Sequence, residues 1–364
     1  MSDADRMSDA DRMSNLSRHS PGFLGVTDSI VRLVLPAAHM VRFRQSIPRC
    51  FYLLCLALAN SVIAAEPPIT SLAFVPGGNS IVAAAQSYMT VHEWPSLKVN
   101  RRVPSSLVLI QSLAFSPDGQ KLAVAGGTPA EAGMVEIRSW PQGDLLALHV
   151  GHEDTVQSVA WIDDKTFVTG SLDHEIGVWS VGLQKPIRRL KGHSKGITTI
   201  QVTAGGSLIV SGALDQNIRV WKVGTGELLR TLNNHTRAVN ELKTKPLVQG
   251  QDSGALRLPS MASVSNDRTV RLWQPTIGRL VRFCRIDAVP LALTWGPQGE
   301  WLAVACDDGN VLVINPDTME VTANISVNDS WLYAIESHPI DGSLAVGSRQ
   351  QRLQRLTEDE LVNK

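Results

Sequence analysis

Ser71-Leu72-Ala73-Phe74 returns as Ser112-Leu113-Ala114-Phe115 and again as Ser158-Val159-Ala160-Trp161. Self-similarity of this kind marks a repeat architecture, and it constrains the fold more than composition does. Carrying the last position forward gives Phe74, Phe115, Trp161, Val202, Thr244, Trp295 and Ser337, with steps of 41, 46, 41, 42, 51 and 42 residues. Gly126 to Gly133 lengthens one step, and Gly250 to Pro259 lengthens the other. Each unit reads as short runs of Val, Ile, Leu and Thr split by turn residues such as Ser116-Pro117-Asp118-Gly119 and Gly296-Pro297-Gln298-Gly299. Such runs favour strands, and no long stretch has helical periodicity. The expectation is an all-β chain of seven units within 66–364.

Three central units share a tighter pattern. One carries His152, Thr169, Asp173 and Trp179, the next His193, Ser211, Asp215 and Trp221, and the third His235, Ser263, Asp267 and Trp273. Asp precedes Trp by six residues each time, and Ser or Thr precedes Asp by four. This resembles the WD-repeat β-propeller family. The resemblance implies a seven-bladed propeller of four-stranded antiparallel blades around a central channel. It also implies that each His, Ser/Thr, Asp and Trp set forms a structural hydrogen-bonded tetrad. A buried Asp needs donors and a buried His needs an acceptor, so a satisfied set rigidifies its sheet. A set that recurs three times suits scaffolding, where a catalytic triad occurs once.

The outer units depart from the pattern. The Trp position reads His92 in the first, Arg138 in the second, Ile314 in the sixth (which keeps Asp308) and Arg355 in the seventh. A further outer strand for the seventh unit would begin near Val362, and the sequence stops at Lys364. The last blade is therefore either three-stranded or completed by residues near 58–62.

The N-terminal segment reads as an address. Residues 1–39 open with MSDADR twice over, and are expected to be disordered or a mis-assigned start. From Met40, Arg42, Arg44 and Arg49 precede the apolar run Phe51 to Ala59 and the small residues Ala64-Ala65. A basic region, a short apolar core and a small-residue site describe a signal peptide over 40–65. The apolar run is short for a membrane span, so no stable membrane insertion is expected after cleavage. These features look like exported bacterial WD-repeat proteins and imply a periplasmic or extracellular location. A cytoplasmic protein with an uncleaved N-terminus is the alternative. Cys284 and Cys306 alone lie beyond residue 65, and no Cys-x-x-Cys-His haem site occurs. They read as two ordinary buried cysteines or as a disulfide.

The inner-strand position four before each ruler residue holds Thr70, Gln111, Gln157, Thr198, Asn240, Leu291 and Tyr333. Its neighbours Ile69, Ile110, Val156, Ile197, Val239, Pro290 and Leu332 are apolar, as period-two alternation demands. The polar set either lines a wet channel or presents hydrogen-bonding groups to a peptide. Trp331, Tyr333 and Trp301 are candidate anchors, since aromatics dominate binding hot spots. The ring holds no carboxylate or histidine, which argues against catalysis. His149 and His152 have a ligand-like spacing, but the tetrad claims His152, so no metal and no cofactor is expected. Residues 66–364 carry 27 basic and 29 acidic residues, which gives nucleic acid no clustered positive charge to meet. The reading is a non-enzymatic scaffold, monomeric on its own, that binds a protein or peptide at the channel mouth. A channel hydrolase or lactonase and an intracellular scaffold are the alternatives.

Overall fold

A computed structural model describes residues 67–203, 205–246 and 260–362. The segments read as extension and signal, 1–39 and 40–65, lie outside the described residues, as do the 250–259 insertion and the strand register at 58–62. Among the described residues of the compact unit Ala64–Lys364, 27 strands form seven separate antiparallel sheets.

Blade one comprises β1 (Ile69–Phe74), β2 (Ser80–Ala85), β3 (Tyr88–Glu93) and β4 (Val99–Pro104). Blade two comprises β5 (Leu109–Phe115), β6 (Lys121–Thr128), β7 (Ala132–Ser139) and β8 (Leu145–His152). Blade three has β9 (Val156–Trp161), β10 (Thr166–Ser171), β11 (Glu175–Ser180) and β12 (Arg188–Lys191). Blade four has β13 (Ile197–Val202), β14 (Leu208–Ala213), β15 (Ile218–Lys222) and β16 (Leu228–Leu232). Blade five has β17 (Val239–Thr244), β18 (Met261–Ser265), β19 (Thr269–Gln274) and β20 (Arg279–Arg285). Blade six has β21 (Pro290–Trp295), β22 (Leu302–Cys306), β23 (Asn310–Ile314) and β24 (Val321–Ser326). Blade seven has β25 (Leu332–Ser337), β26 (Leu344–Ser348) and β27 (Leu353–Leu356), followed by the helix α1 (Glu358–Val362). The last blade is three-stranded among the described residues.

The first strand of every blade packs on the first strand of the next, and β25 packs on β1, so the seven close a ring. Every ruler residue ends its innermost strand. Burial follows from this placement. Second strands such as β18 (MASVS) are sandwiched between neighbouring blades and are buried from end to end. Outer strands such as β16 (LLRTL) face solvent along most of their length. Tight hairpins join the strands. In Ser116-Pro117-Asp118-Gly119 the Ser116 hydroxyl bonds Asp118 at 2.5 Å, and Gly119 takes the positive φ of 69° that closes the turn.

Seven apolar clusters fill the seven blade interfaces, each drawing side chains from two adjacent blades. The cluster between blades seven and one contains six buried side chains, while the others contain eight to thirteen. An aromatic clasp reinforces this seam. The His338 ring stacks on Trp94 at 5.8 Å, and its Nε2 lies 3.2 Å from the Gly78 carbonyl.

Strand register corrects one expectation. Ser337 pairs with Leu344, and Leu344 with Leu356, so Leu356 and not Arg355 occupies the Trp position of blade seven. The extra outer-strand start near Val362 is instead the end of α1. Thr357 caps this helix, its amide and hydroxyl both bonding the Glu360 carboxylate at 2.7 and 2.9 Å. Leu361 then buries against Ala323 and Ile325 of β24. Cys306, within the cluster between blades five and six, and Cys284, packed against it, are free thiols, and burial pushes them up to about 12 and about 11.

Candidate functional site

The tetrads in blades three, four and five have one geometry. In blade three the Trp179 indole N–H donates to Thr169 Oγ1 at 2.8 Å. Thr169 Oγ1 lies 2.7 Å from His152 Nε2, and His152 Nδ1 lies 2.7 Å from Asp173. An indole N–H only donates and a carboxylate only accepts, so the chain of protons has one direction. In the arrangement that satisfies every group the hydroxyl donates to Nε2 and Nδ1–H donates to Asp173. Trp221, Ser211, His193 and Asp215 repeat this at 2.8 to 3.1 Å. Trp273, Ser263, His235 and Asp267 repeat it at 2.8 Å throughout.

Each Asp also accepts two backbone amides. Asp173 takes those of Glu153 and Glu175, which ties the loop before the innermost strand to the turn after the second. Burial works to raise the Asp173 carboxyl, but the His152 bond and these amides outweigh it and hold it below the ordinary range. Burial likewise holds His193 and His235 below their ordinary value, against the pull of Asp215 and Asp267.

The other blades fill the same space differently. In blade two Val124 stands at the hydroxyl position, and Glu136 enters from the adjacent strand. Glu136 is fully buried, ion-paired to Arg138 at 2.8 Å and bonded by the amide and hydroxyl of Ser106. In blade one His92 bonds Thr90 at 2.8 Å. Blade six is apolar there, with Leu302 opposite Ile314, and the two duties of the tetrad Asp are divided. Asp307 holds the Val289 amide, and Asp308 holds that of Asn310. The ligand-like pair of histidines is also explained, since His149 packs against Phe167 and Trp179 while His152 serves its tetrad.

The channel is built by an irregularity that recurs in every blade. Between the first and second strands the pairing slips by one residue, from Ile69↔Ala85 to Ser71↔Ala84 in blade one. The same slip occurs in the other six. Two residues then oppose one, and the extra residue bulges out of the ladder and is re-aimed. The bulged residues are Thr70, Gln111, Gln157, Thr198, Asn240, Leu291 and Tyr333. All seven line one cavity of about 610 Å³. Trp331 is not among the lining residues. It stands 45% exposed beside Tyr333, with ring centroids 6.0 Å apart. Trp301 packs instead against the cluster between blades six and seven, after the hairpin that ends β21.

The bulge resets the alternation, so the residue after it and the one two further on also face the cavity. Ser71, Ser112, Ser158, Thr199 and Glu241 line it in this way, as do Gln201, Lys243 and Glu336. Strict alternation from the sequence missed this layer. The expectation of a channel wall without carboxylates is therefore corrected. Lys243 Nζ lies 2.7 Å from Glu336 and 4.0 Å from Glu241. Burial raises Glu241 to about 7, with Lys243 and the Leu293 amide opposing and Glu336 adding to it. Burial works to lower Lys243, but Glu336 and Glu241 together raise it above the usual lysine value.

Part of the wall is stitching. Ser71 accepts the amide of Leu113, Ser112 that of Val159, Ser158 that of Ile200, Thr199 that of Leu242 and Glu241 that of Leu293. Each of these bonds crosses from one blade to the next. Thr70, Thr198 and Asn240 donate to the carbonyls of Ile110, Val239 and Pro290 in the same sense. No protein group bonds the side chains of Gln111, Gln157 and Tyr333 among the described residues, and Leu291 has no bond to make.

A seven-bladed propeller with a polar, accessible channel is the class of protein that this fold and site define. Residues 143–180, 184–222, 226–274 and 287–315 match the WD40 family, described as WD domain, G-beta repeat. The matches cover the three tetrad blades and blade six, which lacks the Trp. The chain is a WD-repeat β-propeller. It is 40% identical to the intraflagellar transport protein 122 homolog of Danio rerio over 76 residues, 21% of this chain and 6% of that protein. It is 28% identical to WD repeat-containing protein 81 of Rattus norvegicus over 141 residues, 37% of this chain and 7% of that protein. It is 26% identical to the methylosome protein WDR77 of Xenopus laevis over 257 residues, 65% of this chain and 74% of that protein. The chain thus spans under a tenth of the length of the first two relatives.

Proposed function

We propose that this propeller is a non-enzymatic scaffold that holds a protein or peptide partner at the channel mouth. The observation that carries this reading is the set of seven bulges. They direct one residue per blade into a single cavity, and Gln111, Gln157, Leu291 and Tyr333 are left unused by the neighbouring blades. Amides, an apolar group and an aromatic ring side by side suit a peptide, and the half-exposed Trp331 extends the aromatic surface. The names of the relatives, which tie them to intraflagellar transport and to a methylosome, support a role in assemblies. Two carboxylates against one ammonium on the wall speak for a protein partner over nucleic acid.

The channel carboxylates also favour a second reading, a channel hydrolase. Against it, Glu336 is held by Lys243, so no acid and base are both aimed at one substrate atom.

The N-terminal pattern around Arg42, Arg44 and Arg49 supports export through a signal over 40–65. Capture from native cells with a C-terminal tag tests both points. The partner should be retained by the parent chain and lost with Tyr333→Ala, at unchanged melting temperature. Undiminished capture by that variant rejects the channel mouth. The intact mass of the tagged protein should begin near Ala65. A full-length mass with cytosolic partners assigns the intracellular alternative.

A further inference from the structure

The charges of the channel wall are unevenly distributed. Glu241, Lys243 and Glu336 come from β17 and β25, on either side of blade six. About a quarter of each side chain is open to the cavity, 25% for Lys243 and 26% for both Glu241 and Glu336. Protein surrounds them on every other side. Lys243 is committed to Glu336 at 2.7 Å and reaches Glu241 only at 4.0 Å. Glu241 Oε2 accepts the Leu293 amide at 2.7 Å. Its second oxygen, Oε1, is the one that Lys243 approaches at 4.0 Å, beyond hydrogen-bond reach. The wall thus holds two carboxylates and one ammonium inside a polar cavity, and one carboxylate lacks a close counterion.

We propose that the channel seats one cationic side chain of the partner, an ammonium or a guanidinium, against Glu241. This rests on the reading of the channel as the partner site and names the chemistry that enters it. Gln201 and Asn240 line the same cavity, and their carboxamide oxygens, which accept no protein donor among the described residues, can serve as further acceptors. A free ammonium gains most where a carboxylate is shielded from bulk water and its one neighbouring cation is held more closely by another group. An anionic group meets the opposite situation, because Lys243 is already paired.

The cation binds the ionised form of Glu241, so binding and protonation compete. The charged groups facing Glu241 are Lys243 on its own strand and Glu336 on β25. The adjoining strands β13 and β21 bring Thr199, Gln201, Leu293 and Thr294, none of which titrates. With Glu241 at about 7, its ionised fraction rises roughly tenfold from pH 6 to pH 8, and affinity rises with it.

The test uses the full chain and ligand-observed NMR with four N-acetylated, C-amidated tripeptides: Gly-Lys-Gly, Gly-Arg-Gly, Gly-norleucine-Gly and Gly-Glu-Gly. The two cationic peptides should bind, about tenfold tighter at pH 8 than at pH 6, and the norleucine and glutamate peptides should not. Glu241→Gln keeps an acceptor for the Leu293 amide and should weaken cationic binding tenfold or more while flattening its pH profile. Equal binding of the norleucine peptide overturns the proposal. So does a Glu241→Gln variant with unchanged affinity and profile. Should that variant melt early, the pH profile of the parent chain decides alone. Loss of partner capture in Tyr333→Ala without any preference for cationic tripeptides overturns this proposal and leaves the scaffold standing. The reverse pair of results keeps the cation seat and removes the scaffold's site.

Discussion

At the residue scale the tetrads explain why charge can be buried in the blades at low cost. His193 and Asp215 share one proton inside a blade, and every donor in the chain has an acceptor. Asp215→Ala strips partners from His193, from the Ser194 amide and from the Asn217 amide. A loss of about 2–4 kcal/mol in denaturant titrations is expected. Trp179, fully buried between blades two and three, should cost a similar amount on truncation to Ala, about 3–5 kcal/mol. The same chain predicts a pH dependence. His193 and His235 are neutral in the fold, and their unfolded forms take up protons below the ordinary value of 6.5. Their contribution is complete above 6.5 and is lost as the pH falls below it. Asp173, Asp215 and Asp267 lie below their ordinary value of 3.8, so their contribution is lost only on further acidification through that region. The melting temperature should be level above pH 7, decline from 6.5 and drop more steeply below 4. A His193→Gln/His235→Gln double variant should melt lower but with a flatter slope between pH 7 and pH 5. An undiminished slope would show that other groups set it.

At the element scale the blades share a backbone and differ in what occupies the space beside the third strand. Blade two uses Glu136 and Arg138, and truncating Arg138 to Ala leaves a fully buried carboxylate with Ser106 alone. A cost of about 3–5 kcal/mol is expected, and Glu136→Leu/Arg138→Met should recover most of it. The repeat period, the strand ends and the three tetrads were legible in the sequence because each rests on residue types at fixed spacing. Blade two was not, because Ser106 replaces His and Glu136 sits on a strand where it reads as an ordinary polar residue. In blade seven the reading fell one residue short of Leu356, since no Trp anchors the count. The channel layer holding Glu241 and Lys243 was hidden for a related reason. A bulge inserts one residue without leaving a mark in the alternation of Val239, Asn240 and Glu241, so the face of everything after it is misread.

At the scale of the whole molecule stitches and tetrads coincide in blades three to five, while the largest apolar clusters lie on either side of blade six. The ring is weakest at the seam between blades seven and one. There β27 is paired on one side only among the described residues, and the interface with blade one has the smallest cluster. Ala334 and Ala292 stand where Ser71 and Ser112 supply hydroxyls elsewhere, so the stitch is missing at that position on both sides of blade seven, and the hydroxyl-to-amide bond there runs instead from the Ser337 amide to Thr294 at 3.3 Å, toward blade six alone. Hydrogen exchange should therefore be fastest in β25 to β27. Trp94→Ala, which removes the platform for His338, should accelerate it further and leave β9 to β19 protected. Uniform protection around the ring would contradict this account of the seam.

The seven bulges have a practical consequence for redesign. A bulged residue lies outside the strand ladder, and at Gln111, Gln157, Leu291 and Tyr333 the side chain has no bond to a neighbouring blade. Those four letters can be rewritten, singly or together, without touching the hydrogen bonds and clusters that hold the ring. Thr70, Thr198 and Asn240 cannot, since each fastens its blade to the next. The propeller is thus a fixed frame with a four-character label, and libraries randomised at those positions should yield folded proteins of altered taste.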